Sequence, residues 1–165
     1  MKRKLSRKAL MKQLHYDPAT GLFWWRIRKS KRNLFVPAGS LDAKGYRSIK
    51  CGKYSYRAHR LAWLFMTGKW PSKIIDHRNM QKDNNVWTNL REATGSQNKQ
   101  NGKRYRTNKS GFKGVHWDKE ARKWRAQIRV NKCGKTLGRF VTPQKAAEAY
   151  CVAAKKHFGE YARVR

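Results

Sequence analysis

Polar and apolar side chains alternate most cleanly at residues 123–131, KWRAQIRVN. Here Lys123, Arg125, Gln127 and Arg129 fall on one side and Trp124, Ala126, Ile128 and Val130 on the other. A period of two marks a strand with one covered face. Runs 112–118 and 135–140 also have strand character. A helix is expected from Pro143 to about Phe158, where Ala146, Ala147, Ala149, Tyr150, Ala153 and Ala154 are mostly small enough for sheet and helix to approach closely. The pattern predicts a three-stranded antiparallel sheet packed on one helix. Further towards the N-terminus, residues 21–28, 46–50 and 53–57 read as short strands joined by glycine-containing turns, and a helix over 58–67 ends at Gly68. A strand at 73–77, a short extended run at 89–93 and a short helix capped by Thr94 follow. Trp24, Trp25, Trp63, Phe65 and Trp70 are expected mainly in the core of this part. The fold class is α+β in two domains, 1–106 and 107–165, and the polar, cationic stretch 100–110 between them reads as a linker lying along a phosphate backbone.

Charge adds a partner. Lys and Arg number 41 against 9 Asp and Glu, a formal charge of +32 on 165 residues, more than solubility requires. The excess runs through the whole chain, so a polyphosphate is the expected ligand, as DNA or RNA. A membrane surface is disfavoured: there is no apolar run of about 18 residues, no signal-peptide core and no long amphipathic basic helix. A soluble, cytoplasmic protein without an obligate protein partner is the expectation. Cys51, Cys133 and Cys151 are odd in number and too far apart for a C-x-x-C pair, which points to reduced packing residues.

Candidate chemistry concentrates between Ile74 and Asn101. Asp76 and His77 are adjacent on the expected strand and point to opposite faces, so a carboxylate can meet a metal while an imidazole addresses a water. Asn89 follows at the start of the next extended run, where its amide oxygen can fix the tautomer of His77, and Asn98 lies on the short helix. A carboxylate and an amide oxygen are hard ligands, suited to Mg²⁺, Mn²⁺ or Ca²⁺ and poor for a structural zinc. Taken singly, Asn85, Asn89 and Asn101 read as turn or capping residues; the joint spacing singles out Asp76, His77, Asn89 and Asn98. His59, alone in a helical pattern, reads first as a packed core residue.

D-H at 76–77, D-N-N at 83–85, N-L-R at 89–91, Thr94 and Q-N at 97–98, preceded by A-H-R-L-A-W at 58–63, closely resemble HNH endonucleases of the phage and intron-encoded homing type. The resemblance implies a ββα-metal motif over about 73–101. It makes Asp76 and Asn98 ligands of one divalent metal, Mg²⁺ or Mn²⁺, with His77 the general base and Asn89 its orienter. Asn98 stands where the last histidine of the majority pattern falls, and Asn101 is the next ligand if the register slips by one turn. In the last third, S-G-F-K-G-V-H-W at 110–117, W-R-A-Q-I at 124–128, L-G-R-F at 137–140 and A-A-E-A-Y at 146–150 resemble the Apetala/ethylene-response-factor type of DNA-binding domain. That likeness implies a sheet reading double-stranded DNA through Lys113, His116, Arg125, Gln127 and Arg129. His116 replaces an arginine of the plant members, and Gly134, Lys135 and Thr136 stand where those members present an Arg and a Trp, so their target sequence does not carry over.

Together these features imply an enzyme, a metal-dependent DNA endonuclease of the HNH homing type acting in the cytoplasm, that of the host cell if phage-encoded. The alternative from another class is a non-catalytic, sequence-specific DNA-binding protein, a decayed nuclease or transcriptional regulator.

Overall fold

The computed structural model describes residues 5–26, 36–102 and 107–163; Ile27 and Arg28 of the strand expected at 21–28, and residues 103–106 of the expected linker, lie outside them. The chain divides between Thr94 and Gly95 into two compact units. Both are mixtures of helices and small antiparallel sheets.

The first unit opens with helix α1 (Arg7–Gln13), capped by the Ser6 hydroxyl accepting from Ala9 N at 3.2 Å, and with Leu10 fully buried. It runs directly into a hairpin of β1 (Leu14–Asp17) and β2 (Leu22–Trp25). Gly21 in the hairpin turn has φ +74°, and a Cβ there would lie 2.3 Å from Val86 N, so the turn admits only glycine where it rests against the 85–86 backbone. Tyr16 Oη donates to Asn85 O at 2.7 Å and Trp87 N to Pro18 O at 3.0 Å. The hairpin thus buttresses the segment that carries Asn85.

Strands β3 (Ser40–Leu41), β4 (Arg47–Cys51) and β5 (Tyr54–Arg57) form an antiparallel sheet, and helix α2 (Ala58–Thr67) follows without a loop. Gly68 ends it in the left-handed region, φ +77°, its N–H bonded to Leu64 O at 3.0 Å. Leu10, Leu14, Tyr16, Phe23, Ile49 and Leu61 are core residues, against which Trp25, Trp63, Phe65 and Trp70 pack as their aromatic character predicts; Trp24 is half-buried. Strands β6 (Ile74–His77) and β7 (Leu90–Ala93) pair antiparallel, putting Asp76 opposite Arg91 and His77 opposite Leu90, and a 3₁₀ turn, Trp87–Asn89, leads into β7.

In the second unit, short helix α3 (Gly95–Asn101) precedes β8 (Val115–Asp118), β9 (Lys123–Val130) and β10 (Cys133–Phe140), in the sheet order β10-β9-β8. The longer helix α4 (Pro143–Phe158) covers one face of the sheet. Ala126 and Ile128 meet Ala146, Tyr150 and Ala154 there, as the alternation predicted. A Cβ on Gly114 would lie 2.2 Å from the Tyr150 ring, so this glycine sets how closely the sheet is approached. Thr142 caps α4, Pro143 occupies its first turn, and Lys155, Lys156 and His157 face its negative dipole end. Among the described residues no helix is long and apolar enough to cross a membrane.

Candidate active site and candidate nucleic-acid interface

Strand alternation in β6 separates Asp76 from His77. On one face, Asp76 Oδ2 accepts from Arg91 Nε and from a second guanidinium nitrogen, both at 2.9 Å, and both side chains are buried. The ion pair follows from the register that sets these residues opposite each other. On the other face, the His77 imidazole is 4% exposed. Its Nε2 lies 3.2 Å from Asn85 Oδ1, and its ring meets His59 edge-on at 5.1 Å and Tyr46 at 6.1 Å.

A relay sets the orientation of His77. Asn85 Nδ2 donates to Asp83 O at 3.0 Å, so the amide oxygen is the atom turned towards the imidazole. The Asp83 carboxylate receives Arg47 through two bonds of 2.8 Å. Asn85 Oδ1 accepts from Nε2–H, which leaves the lone pair of the neutral ring on Nδ1. Burial pushes the pKa of His77 below the usual histidine value, against the opposing pull of the Asn85 bond, and so keeps the ring neutral at neutral pH.

Asn89 does not take the role expected of it. Its Oδ1 accepts from Asn79 N at 3.0 Å and its Nδ2 donates to Asn84 O at 2.7 Å, while its carbonyl accepts from Arg78 N at 2.9 Å. Both ends of the amide are consumed in bracing the loop between β6 and β7, and the partner of His77 is Asn85. Sequence reasoning placed Asn85 in a turn; the available signal was D-N-N, whose last Asn is enclosed by the hairpin. Glu92 Oε1 accepts from Ser72 N and Lys73 N at 2.8 and 3.3 Å, anchoring the entry to β6.

Asn98 lies half-buried on α3 in the second unit, and Asn101, the fallback ligand, is buried at its end. Among the described residues no three His, Cys, Asp or Glu side chains converge as a ready metal cluster. The Asp76 carboxylate of the first unit is a hard donor, of the kind that suits a cation completing its shell with water and phosphate.

The sheet of the second unit presents His116, Arg125, Gln127 and Arg129 on the face away from α4. Arg125 Nε donates to His116 Nε2 at 2.7 Å, and burial followed by the Arg125 charge lowers the pKa of His116. Arg129 Nε donates to Lys132 O at 3.0 Å. Lys113 departs from expectation: its ammonium donates to Gln100 O at 2.5 Å and Gly102 O at 2.9 Å. It holds the carbonyls at the end of α3 instead of standing on the cationic face.

Arg139, missed by the sequence reading, joins that face. Strict alternation along β10 from Thr136 would turn it inward, but the register shifts between Thr136 and Gly138 and sets Arg139 opposite Arg125. Its Nε donates to Asp118 Oδ2 at 2.8 Å, with an Arg125 guanidinium nitrogen 3.9 Å from the same oxygen. Gly138, with φ +148°, was the available signal of a bulge.

Residues 56–100 match the HNH endonuclease family, a span that takes in α2, β6, β7 and α3 to Gln100. An uncharacterized HNH endonuclease of Acanthamoeba polyphaga mimivirus is 34% identical over 125 residues, covering 74% of this chain and 63% of that protein. Protein 3.8 of Escherichia phage T7 is 36% identical over 73 residues, 44% of this chain and 60% of that protein. The chain thus spans about three fifths of the length of these relatives. No solved structure matches it.

Proposed function

We propose that the protein is a DNA endonuclease of the HNH homing type in which His77 is the general base. The observation that carries this reading is the buried imidazole of His77, hydrogen-bonded to Asn85 and next to Asp76 within the HNH match. His77 takes the proton of a water, and the hydroxide attacks the scissile phosphorus in line with the departing 3′ oxygen. Asp76 and Asn98 would hold one divalent metal, Mg²⁺ or Mn²⁺, which when bound supplies charge stabilisation at the phosphate. Arg91 holds the Asp76 carboxylate in place through two guanidinium contacts. The β8–β10 sheet, of the Apetala/ethylene-response-factor type, supplies residence on double-stranded DNA through His116, Arg125, Gln127, Arg129 and Arg139. Both relatives are viral, which favours a phage or viral origin and action in the host cytoplasm.

Plasmid cleavage with and without Mg²⁺ or Mn²⁺ tests the reading. The wild-type chain should cut only with metal, and His77→Ala should lower the rate by about 10² to 10⁴ with DNA affinity nearly unchanged. DNA binding without cleavage in either metal would replace this reading with that of a non-catalytic DNA-binding protein. Parallel loss of binding and cleavage in His77→Ala would make that residue structural.

A further inference from the structure

A cavity of about 770 Å³ lies wholly within the second unit, where the end of α3 and the segment 107–114 meet the β8 edge of the sheet. Its volume falls inside the range of roughly 300–1,000 Å³ typical of small-ligand sites. Aromatic and cationic residues line it together, Trp117, Trp124 and Tyr150 with Lys99, Lys109 and Arg129, and among the described residues no carboxylate does. The three cations are exposed.

The walls are held by hydrogen bonds of their own. Asn108 Nδ2 donates to Phe112 O at 2.8 Å and to Val115 O at 3.3 Å, and Ser110 Oγ donates to Val115 O at 2.8 Å, which fastens the segment to the outer edge of β8. Lys113 ties the carbonyls at the end of α3 to the same segment. A ligand therefore meets a wall that does not have to be ordered first.

Trp117 supplies an independent observation. It is 46% exposed, a large apolar ring that the packing of the sheet on α4 leaves in solvent. Trp124 meets it edge to face, with ring centroids 5.1 Å apart, an arrangement that holds the pair and occupies only one of their four ring faces. An indole in solvent beside cations is what an unpaired base stacks on while its phosphates are neutralised. A paired duplex offers no such base, because its bases are stacked on one another.

We propose that this cavity takes one unpaired nucleobase of single-stranded DNA, stacked on Trp117, with Lys99, Lys109 and Arg129 meeting the flanking phosphates. The proposal rests on the reading of the sheet as a nucleic-acid surface and goes beyond it in the form of DNA that is bound. His116, Gln127 and Arg129 belong both to the cavity lining and to the face assigned to the duplex, so single and double strands meet adjoining parts of one surface.

Two measurements on the full chain without divalent metal decide it. In the first, the tryptophan indole N–H resonances are followed by NMR, with Trp117→Phe identifying the Trp117 signal, during titration with a short oligothymidylate, a strand of the same length made wholly of abasic sites, and thymidine 5′-monophosphate. The oligothymidylate should shift the Trp117 signal and the other two should leave it in place. An equal shift with the abasic strand would reduce the contact to charge, and an equal shift with the monophosphate at the same nucleotide concentration would make this a free-nucleotide site; either overturns the proposal, as does no shift at saturation. In the second, affinities for the oligothymidylate and for a fully paired duplex are compared by fluorescence anisotropy. Trp117→Ala should weaken the single strand by roughly 10-fold or more, the scale of one stacked base, with Trp117→Phe recovering most of it and the duplex affinity unchanged in both. Equal weakening of strand and duplex, with a lowered melting temperature, would make Trp117 structural and overturn the proposal. Duplex binding without a Trp117 response to the single strand refutes the cavity alone, whereas a chain that binds neither refutes the nucleic-acid reading of the sheet as well.

Discussion

The orientation of His77 begins two residues away from any atom that touches it: Arg47 grips Asp83, the Asp83 carbonyl fixes the Asn85 amide, and Asn85 holds the imidazole. Asn89 serves the same end differently, through the loop backbone. The two asparagines should therefore fail differently. Asn85→Ala should cut kcat by about 10- to 100-fold, as loss of an orienting partner does. Asn85→Asp keeps the acceptor and adds negative charge, so the pKa of His77 rises and the acid limb of the pH–rate profile moves to higher pH; an unmoved limb would exclude His77 as the titrating base. Asn89→Ala should act mainly on stability, by about 1–3 kcal/mol, because Asn79 N–H and Asn84 C=O lose partners, and a melting curve reads this directly. The histidines make a second prediction. His59 and His77 both have lowered pKa values in the folded state, so below the unfolded value of about 6.5 the unfolded chain binds more protons. Stability contributed by His59 is present above pH 6.5 and declines as pH falls towards about 3, by up to ~1.4 kcal/mol per pH unit. Urea melts at pH 7, 6 and 5 measure it, and His59→Leu should flatten the slope. At this scale the sequence made Asp76 and His77 legible, since neighbours on a strand must face opposite ways. The choice of Asn85 over Asn89 was not legible, because it depends on a hairpin whose Tyr16, 69 residues earlier, closes over the loop.

Among the elements, β9 behaved as its alternation required, and α4 received its apolar face on small side chains. The expected extent of β10 held less well, because one bulge reverses every later residue and alternation carries no mark of where it falls. Arg139 is the consequence. If the bulge sets it on the nucleic-acid face, Arg139→Ala should weaken DNA binding with little change in melting temperature, by roughly 1–3 kcal/mol if it reads a base, or with a shallower salt slope if it meets phosphate. Trp124→Ala, on the covered face, should instead destabilise the unit by about 3–5 kcal/mol and impair binding only by unfolding it. The reverse pattern would mean that the faces of the sheet are interchanged. Helix α1 and strand β1 were invisible in the pattern because they are short and strongly cationic at their start, and only their packing against α2 and β2 stabilises them.

At the scale of the molecule, charge and contact divide the chain differently. The charge of +32 is spread along the sequence and gives no boundary. The cationic stretch 100–110 suggests two domains parted within it, between 106 and 107, whereas the compact units divide ahead of it, between Thr94 and Gly95, and place α3 with the sheet. Lys113 supplies a physical reason within the second unit: its half-buried ammonium joins the carbonyls of Gln100 and Gly102 to the segment that opens the sheet, and burial lowers its pKa. Helix α3 also packs against the 3₁₀ turn Gly159–Tyr161 that follows α4. A fragment of residues 95–165 should therefore melt higher than one of residues 107–165, because the shorter piece exposes the surface that α3 covers and leaves the Lys113 ammonium without its two acceptors. Hydrogen bonds to a charged group contribute about 1.5–3 kcal/mol, a large share of the stability of so small a unit. Lys113→Met should lower the melting temperature of the longer fragment towards that of the shorter one and leave the shorter one nearly unaffected. If both fragments melt together and the substitution affects them equally, α3 contributes nothing to the second unit and Lys113 returns to the cationic face as a DNA contact.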